Sequence, residues 1–420
     1  MRMTQLSRFF GVKGGTTPST ANSDYWGGDI PWVTPADMKD GAVETLFDTR
    51  AKVTSLAVEE SSLLISQPGW LILSNRAPIG KVAICGTRMC TNQGCKLIYP
   101  LHHVEYSTRF LAYWFLAHKE QLNSLGAGTT FLEISAEKLL SFSIPVVSYD
   151  LQCKIVDEIE EKTQKIDFII KNKNAVLNRL KEYRQSLITR AVTKGLNPDV
   201  RLCDSGVVWI GKIPQHWSVC AVKWLTDITS GGTPDRTNKE YWTPGTIPWI
   251  KTGELQNNTI TESEEKISLL GMKNSAAKLF PVETLLVAMY GATRGMTGLL
   301  QIPATTNQAC AALMIKKQEK RIIPNFLQYV FMAGCDFVRQ KAVGAGQPNL
   351  SLDLIANLKV PVPPFEEQEL IVKRLRDECG RVDDTIVKVT DVISKLSEYR
   401  SSLIADVLAG KGMAKGVSHV

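Results

Sequence analysis

QCKIVDEIEEKTQKIDFIIKNKNAVLNRLKEYRQSLITRAVTKGL, residues 152–196, has no proline and no glycine before Gly195. Ile159, Ile166, Leu180 and Leu187 fall on a seven-residue grid that Lys173 interrupts, and Ile169, Val176 and Tyr183 stand three residues after successive grid positions. That spacing predicts one long helix with an apolar seam. Such a helix reaches about 60 Å at a rise of about 1.5 Å per residue. It is too long to fold back into one small core, so it needs a second long helix to pack against. Gly195 and Pro198 are expected to stop it. Residues 366–409 supply the partner: Leu375, Val382, Val389, Leu396 and Leu403 keep unbroken seven-residue spacing, with Val392 and Tyr399 between them.

Globular sequence lies on either side of the first helix. Residues 1–150 carry short β-favouring runs at 63–66, 69–73, 81–85 and 96–99, divided by turn material such as Gln67-Pro68-Gly69 and Ala77-Pro78-Ile79-Gly80. A helix is expected over 107–122, where Phe110, Leu111, Trp114 and Phe115 form an apolar stripe. Residues 198–365 form the second globular part and open on a connector in which Trp209 and Trp217 bracket Gly211 and Pro214. The expected partition is 1–150, first domain; 151–197, central helix; 198–365, second domain with connector; 366–410, second helix; and 411–420, a short disordered tail. The fold class is α+β.

The two halves repeat each other. Gly14-Gly15-Thr16 matches Gly231-Gly232-Thr233, Tyr25-Trp26 matches Tyr241-Trp242, and Ile30-Pro31-Trp32 matches Ile247-Pro248-Trp249. Thr91-Asn92-Gln93 matches Thr306-Asn307-Gln308, and Gly126-Ala127-Gly128 matches Gly344-Ala345-Gly346. Pro145 matches Pro361, Ile166-Asp167 matches Val382-Asp383, Tyr183-Arg184 matches Tyr399-Arg400, and Ser186-Leu187-Ile188 matches Ser402-Leu403-Ile404. The offsets stay between 215 and 218 residues. A domain followed by a long helix is therefore used twice. The connecting domain lets the two helices pair antiparallel as a coiled coil, with an internal pseudo-two-fold relation.

Composition excludes several classes. The chain has 420 residues, a formal charge of +7, 44% hydrophobic residues and 22% charged residues, which suits a protein of two or three domains with ordinary cores. Nine cysteines show no zinc spacing; Cys85, Cys90 and Cys95 lack a fourth ligand, and no metal or disulfide is expected. No signal core and no 18-residue apolar run is present, so a cytoplasmic location and no membrane partner are expected. Catalytic patterns are missing. There is no Asn/Asp-Pro-Pro-Tyr run, Gly126-x-Gly128 follows a helix rather than a strand, Gly410-Lys411 lacks a P-loop, and His102-His103 has no triad context. The isolated chain is read as non-catalytic, with no cofactor of its own.

A rod with a similar head at each end is a ruler, and B-DNA offers a repeat of about 34–36 Å to measure. Because the heads differ, the target need not be palindromic. Candidate DNA-contacting residues in turns are Asn75, Arg76, Lys81, Arg88, Asn92 and Gln93 in the first head, and Arg236, Asn238, Lys239, Arg294, Asn307 and Gln308 in the second. For the two Asn-Gln pairs a structural role outweighs base reading, since residues that read different bases should differ between heads. Tyr25, Trp26, Trp32, Trp242 and Trp249 read as core or loop anchors. The back of the central helix is basic: Lys171, Lys173, Arg179, Lys181, Arg184, Arg190 and Lys194 stand against Glu182 alone. That face is suited to phosphates between half-sites or to a partner protein.

The layout and motifs together resemble the specificity subunit of a type I restriction-modification system. The resemblance rests on the duplicated domain-plus-helix plan, the two Gly-Gly-Thr openings, the paired Tyr-Trp and Ile-Pro-Trp motifs, and the connector Trp209-Ile210-Gly211-x-Ile213-Pro214-x-x-Trp217. Ile144-Pro145-Val146, Val360-Pro361-Val362-Pro363-Pro364 and Glu367-Gln368 also fit. The resemblance covers essentially the whole chain. It implies that each head is a target recognition domain reading half of a bipartite double-stranded DNA site. It also implies that the helices form the spacer and a platform for two modification subunits, which methylate adenine N6 after base flipping. Restriction subunits would complete an endonuclease, and S-adenosylmethionine, ATP and magnesium would belong to the partner subunits. A protein-only scaffold, or a specificity module of a fused or related methyltransferase or nuclease system, is the alternative.

Overall fold

A computed structural model describes residues 2–76, 78–101, 105–126, 132–340 and 349–410. Ala77, His102-His103, the glycine repeats at 127–128 and 344–346, and the tail 411–420 lie outside the described residues. The chain forms two compact units, Met1–Asn174 with Thr390–Val420, and Ala175–Val389.

Each unit contains one head of the same topology. In the first, a five-stranded sheet runs in the order Phe10–Gly14, Cys95–Pro100, Leu71–Ser74, Val82–Cys85, Val43–Leu46. Only the last pairing is parallel. A three-stranded sheet, Lys52–Val53, Trp26–Val33, Cys90–Thr91, lies in the same head. The second head repeats both: Thr226–Ser230, Cys310–Ile315, Leu285–Ala288, Thr297–Leu300, Asn258–Ile260, and then Glu265–Ile267, Ile247–Ile250, Thr305–Thr306. The strands Leu71–Ser74, Val82–Cys85 and Leu285–Ala288 are buried along their whole length, which is why they read as continuous apolar runs rather than alternating ones. One helix per head closes the core. In the second it is Pro324–Gln340. In the first, the single helix expected over 107–122 is two, Thr108–Ala117 and Lys119–Ser124. The break falls at His118, whose ring stacks on Trp114 at 3.9 Å. Residues 63–66 form no strand; Ser66 instead donates its N–H to the Met89 carbonyl at 2.8 Å.

The long helices are Tyr149–Lys194 and Phe365–Leu408, of 46 and 44 residues. Gly195, at φ +72°, ends the first, a conformation that a side chain would disfavour. In each unit the two helices run antiparallel. In the first, Ile159 shares a core with Ile404, Val407 and Leu408, and Asp167 takes Arg400 Nε at 2.6 Å. In the second, Leu187 packs with Leu375, and Arg184 Nε donates to Asp383 at 2.8 Å. The heptad reading needs one correction. Ile159, Ile166, Leu375 and Val382 are buried, and Leu180, Leu187, Val389, Leu396 and Leu403 are half-buried, so the grid is the seam. The second seam position, however, lies four residues after each grid residue, not three. Thr163, Ile170, Leu177, Arg184 and Ala191 are buried or half-buried, as are Cys379, Ile386, Ile393, Arg400 and Val407. Ile169, Val176 and Tyr183 are 42%, 41% and 55% exposed. Residues three and four ahead lie on neighbouring lines of one helix face, and apolarity alone chose the wrong line because two of the true positions are arginines.

Each head is locked to the start of a long helix by a buried glutamine. Gln152 Oε1 accepts the Ser107 N–H at 2.7 Å, and Nε2 donates to the Val147 carbonyl at 2.9 Å. Gln368, 216 residues on, accepts the Ile323 N–H at 2.9 Å and donates to the Arg321 and Pro363 carbonyls at 2.6 and 2.8 Å. Gln368→Leu keeps the volume but strands these groups, so urea unfolding should show a loss of about 2 kcal/mol. In the second unit the connector forms the hairpin Leu202–Asp204 with Lys212–Pro214. Trp217 Nε1 donates to Glu367 at 2.9 Å, and Trp209 lies against Gly334.

Candidate nucleic-acid interface

The repeated motifs build one loop scaffold twice. In the first head, the Gly15 and Thr16 N–H groups donate to the Cys95 and Thr91 carbonyls at 3.1 and 2.9 Å. Trp32 Nε1 donates to the Thr16 carbonyl at 3.2 Å, and Trp26 Nε1 to the Ser19 carbonyl at 3.1 Å. The two indoles meet edge to face at 5.0 Å. In the second head, the Gly232 N–H donates to the Thr306 carbonyl at 2.9 Å, Trp249 Nε1 to the Gly232 carbonyl at 3.0 Å, and Trp242 Nε1 to the Asp235 carbonyl at 3.0 Å. These indoles meet at 5.1 Å. The contacts correct the sequence register by one residue. Gly15 corresponds to Gly231 and Thr16 to Gly232, so the doublet Gly14-Gly15 is not the counterpart of Gly231-Gly232.

The Thr-Asn-Gln turns complete the scaffold. Asn92 Oδ1 accepts the Gly94 N–H at 3.0 Å, and Asn307 Oδ1 the Ala309 N–H at 3.2 Å, so both amides shape their own turns. The exposed Gln93 accepts from the Thr17 hydroxyl, and the exposed Gln308 accepts from the Thr233 hydroxyl. Each ties the turn to the glycine loop. The tryptophans and both Asn-Gln pairs therefore have equivalent fold contacts in the two heads.

The remaining candidates differ between heads. Asn75 is fully buried and donates Nδ2 to Glu133 at 2.9 Å; Arg76 Nε donates to the other Glu133 oxygen at 2.9 Å, and Lys96 Nζ stands 3.6 Å away. Partial burial works to raise the Glu133 pKa, but the Arg76 hydrogen bond and the two cations outweigh it, holding the carboxyl below its ordinary value. Lys81 Nζ donates to the Pro35 carbonyl at 2.8 Å, and Arg88 is exposed in the turn before Cys90–Thr91. In the second head, the Arg236 guanidinium lies 3.8 Å from the Trp242 ring and 4.7 Å from the Trp249 ring. It pairs with Glu265, which Lys251 reaches at 3.0 Å; the Arg236 hydrogen bond is the main cause that lowers the Glu265 pKa. Asn238 Oδ1 accepts the Glu240 N–H at 3.1 Å, and Lys239 beside it is exposed. The Arg294 carbonyl accepts Arg339 Nε at 2.7 Å.

Two residues escape sequence reading. Glu133 lies 57 residues from Arg76, and nothing local marks it as the partner. Tyr290, 38% exposed, occupies the place of Arg76: Asn75 N–H donates to the Gly94 carbonyl as Met289 N–H does to that of Ala309, at 3.0 and 2.8 Å. Among the described residues no group of three or more His, Cys, Asp or Glu is arranged to hold a metal, and no helix is long and apolar enough to cross a membrane.

A family model described as the type I restriction modification DNA specificity domain matches residues 1–179 and again residues 214–381. The chain belongs to the type I restriction-modification specificity subunits. The specificity subunit of the type I restriction enzyme MjaIX from Methanocaldococcus jannaschii is 26% identical over 412 residues, covering 95% of this chain and 90% of the relative. That of EcoR124I/EcoR124II from Escherichia coli is 27% identical over 174 residues, 40% of this chain and 42% of the relative. Among solved structures, a chain described in terms of complex assembly and conformational transition of the type I R-M system superposes with a TM-score of 0.65 at 14% identity. It covers 98% of each chain, and the likeness is one of fold. A specificity subunit confers DNA-binding specificity and has no catalysis of its own, and its heads are target recognition domains joined by the two long helices.

Proposed function

We propose that this chain reads a bipartite, asymmetric double-stranded DNA site, one half with each head, and positions modification and restriction subunits on it. One observation carries the proposal. The two heads share their loop scaffold contact for contact, whereas the loop positions that face outward differ: Arg76 against Tyr290, and Thr20 against Arg236. Anchors in common with different tips are what two readers of different sequences need. Arg76, Arg88, Tyr290, Arg236 and Lys239 are the proposed contacts to DNA, while Asn75, Asn92, Asn307 and Lys81 hold the loops. Mapping methylated adenines in cells carrying the full system tests the reading; an expected asymmetric split site supports it, and methylation without sequence preference removes it. Arg76→Ala and Tyr290→Ala should each weaken recognition of a different half-site about tenfold, as loss of one base contact does. Two variants that alter the same half-site would contradict the assignment.

The helices are the proposed spacer and partner platform. Val176 with Val392, and Tyr183 with Tyr399, are exposed apolar residues at equivalent places in the two repeats. Two copies of one partner, the modification subunit, fit such a duplicated surface. S-adenosylmethionine, ATP and magnesium are assigned to the partner subunits, and the exposed Lys171, Arg179 and Lys181 to the phosphates of the unread base pairs.

A further inference from the structure

The second unit contains a cleft of about 450 Å³ where its head meets the two long helices. Arg184, Arg376, Thr259, Asn325 and Tyr329 are among its walls. The first unit has the corresponding place, at Arg400, Glu160, Thr45, Arg109 and Tyr113, and there it is closed. Arg109 Nε donates to Glu160 at 2.9 Å, its Nη1 to the Thr45 hydroxyl at 3.3 Å, and the Tyr113 hydroxyl to Glu160 at 3.4 Å. Arg400 is held by Asp167 and by the Gly41 carbonyl. In the first unit two cations, Arg109 and Arg400, face two acids, Glu160 and Asp167. In the second, Arg184 and Arg376 face Asp383 alone. The carboxylate of Glu160 is replaced by an arginine, and the arginine that clasped it by Asn325. Arg376 is exposed and forms no ion pair among the described residues.

We infer that this cleft is an oxyanion site that takes one phosphate of the DNA backbone, clasped by Arg376 and Asn325 where the first unit supplies its own Glu160 carboxylate. An arginine beside neutral amide and hydroxyl donors suits a phosphate oxygen, and charge beyond internal pairing is available only in this unit. The cleft also takes in Arg184 from the basic stretch of the central helix, which favours DNA over an acidic protein segment as the occupant. The inference rests on the DNA-reading function and adds a contact made by one head only.

The test uses the chain assembled with its modification subunits, titrated with a duplex bearing the mapped site and with a scrambled duplex, over a series of sodium chloride concentrations. Arg376→Ala should flatten the dependence of log K on log salt by about 1 on both duplexes, leaving half-site preference unchanged. Asn325→Arg with Arg376→Glu rebuilds the first unit's clasp, and it should give the same flattening without lowering the melting temperature. Wild-type salt slopes in both variants would overturn the inference, as would loss of subunit assembly with the slope of the remaining complex unchanged, which would assign the cleft to an acid of the partner. Failure of the underlying reading is distinct: the wild-type assembly itself would show no sequence preference.

Discussion

Gly231→Ala should strongly destabilise the second head. A β-carbon at this position would stand 2.1 Å from the Thr306 carbonyl oxygen and 2.2 Å from its Oγ1. Thr306 is fully buried in a strand parallel to Ile247–Ile250, so the obstacle is backbone held by a sheet and cannot rotate away. Overpacking against yielding side chains costs about 1–3 kcal/mol, and a rigid obstacle belongs at or above the top of that range. We expect a loss of about 3 kcal/mol in urea unfolding of this head. The paired experiment in the first head is sharper. Gly15→Ala meets the Asn92 carbonyl at 2.2 Å, whereas a β-carbon on Gly14 meets nothing nearer than Lys96 Nζ at 3.4 Å. Gly15→Ala should therefore be costly and Gly14→Ala nearly neutral. Matching of Gly14 with Gly231 by sequence predicts the reverse, so equal effects or the opposite order would restore that register.

The second large effect concerns spacing. Inserting seven residues in each long helix, after Asn174 and after Val389, should abolish methylation of the native site and create activity on one whose half-sites are unchanged but lie about three base pairs further apart. The insertion lengthens each helix by about 10 Å, and base pairs stack at about 3.4 Å. Both helices must be lengthened, because their pairing is antiparallel and a single insertion would set Arg184 against a residue other than Asp383 or Arg400 against one other than Asp167. Methylated-adenine mapping reads the outcome, and an unchanged spacer would show that the helices do not set it.

Much of this was legible in the chain itself. The absence of proline and glycine over 152–194, the seven-residue grid and the constant offset between halves predict two long helices and duplicated heads, because each depends on local or internally repeated chemistry. What escaped depends on contacts distant in sequence. The second seam line passes through Arg184 and Arg400, which an apolar pattern cannot count as seam residues. Asn75 looked like a base reader in a turn, yet its side chain is buried against Glu133 across the head. The glycine doublets could be matched on either member until backbone contacts distinguished them. Functional identity was more legible than the site because short motifs such as Ile-Pro-Trp serve the shared scaffold, whereas the outward-facing tips vary by design of the repeat.

The reciprocal pairing of Asp167 with Arg400 and of Asp383 with Arg184 carries a historical consequence. Within each repeat the aspartate and arginine sit 17 residues apart on one helix, and each finds its partner on the other. That is the residue pattern of an isologous dimer, in which position i meets j and j meets i. A single head with its helix thus carries both members of the contact and could have met an identical copy of itself. Fusion of two such copies into one gene would then free each head to diverge, turning a reader of palindromes into a reader of two unrelated words.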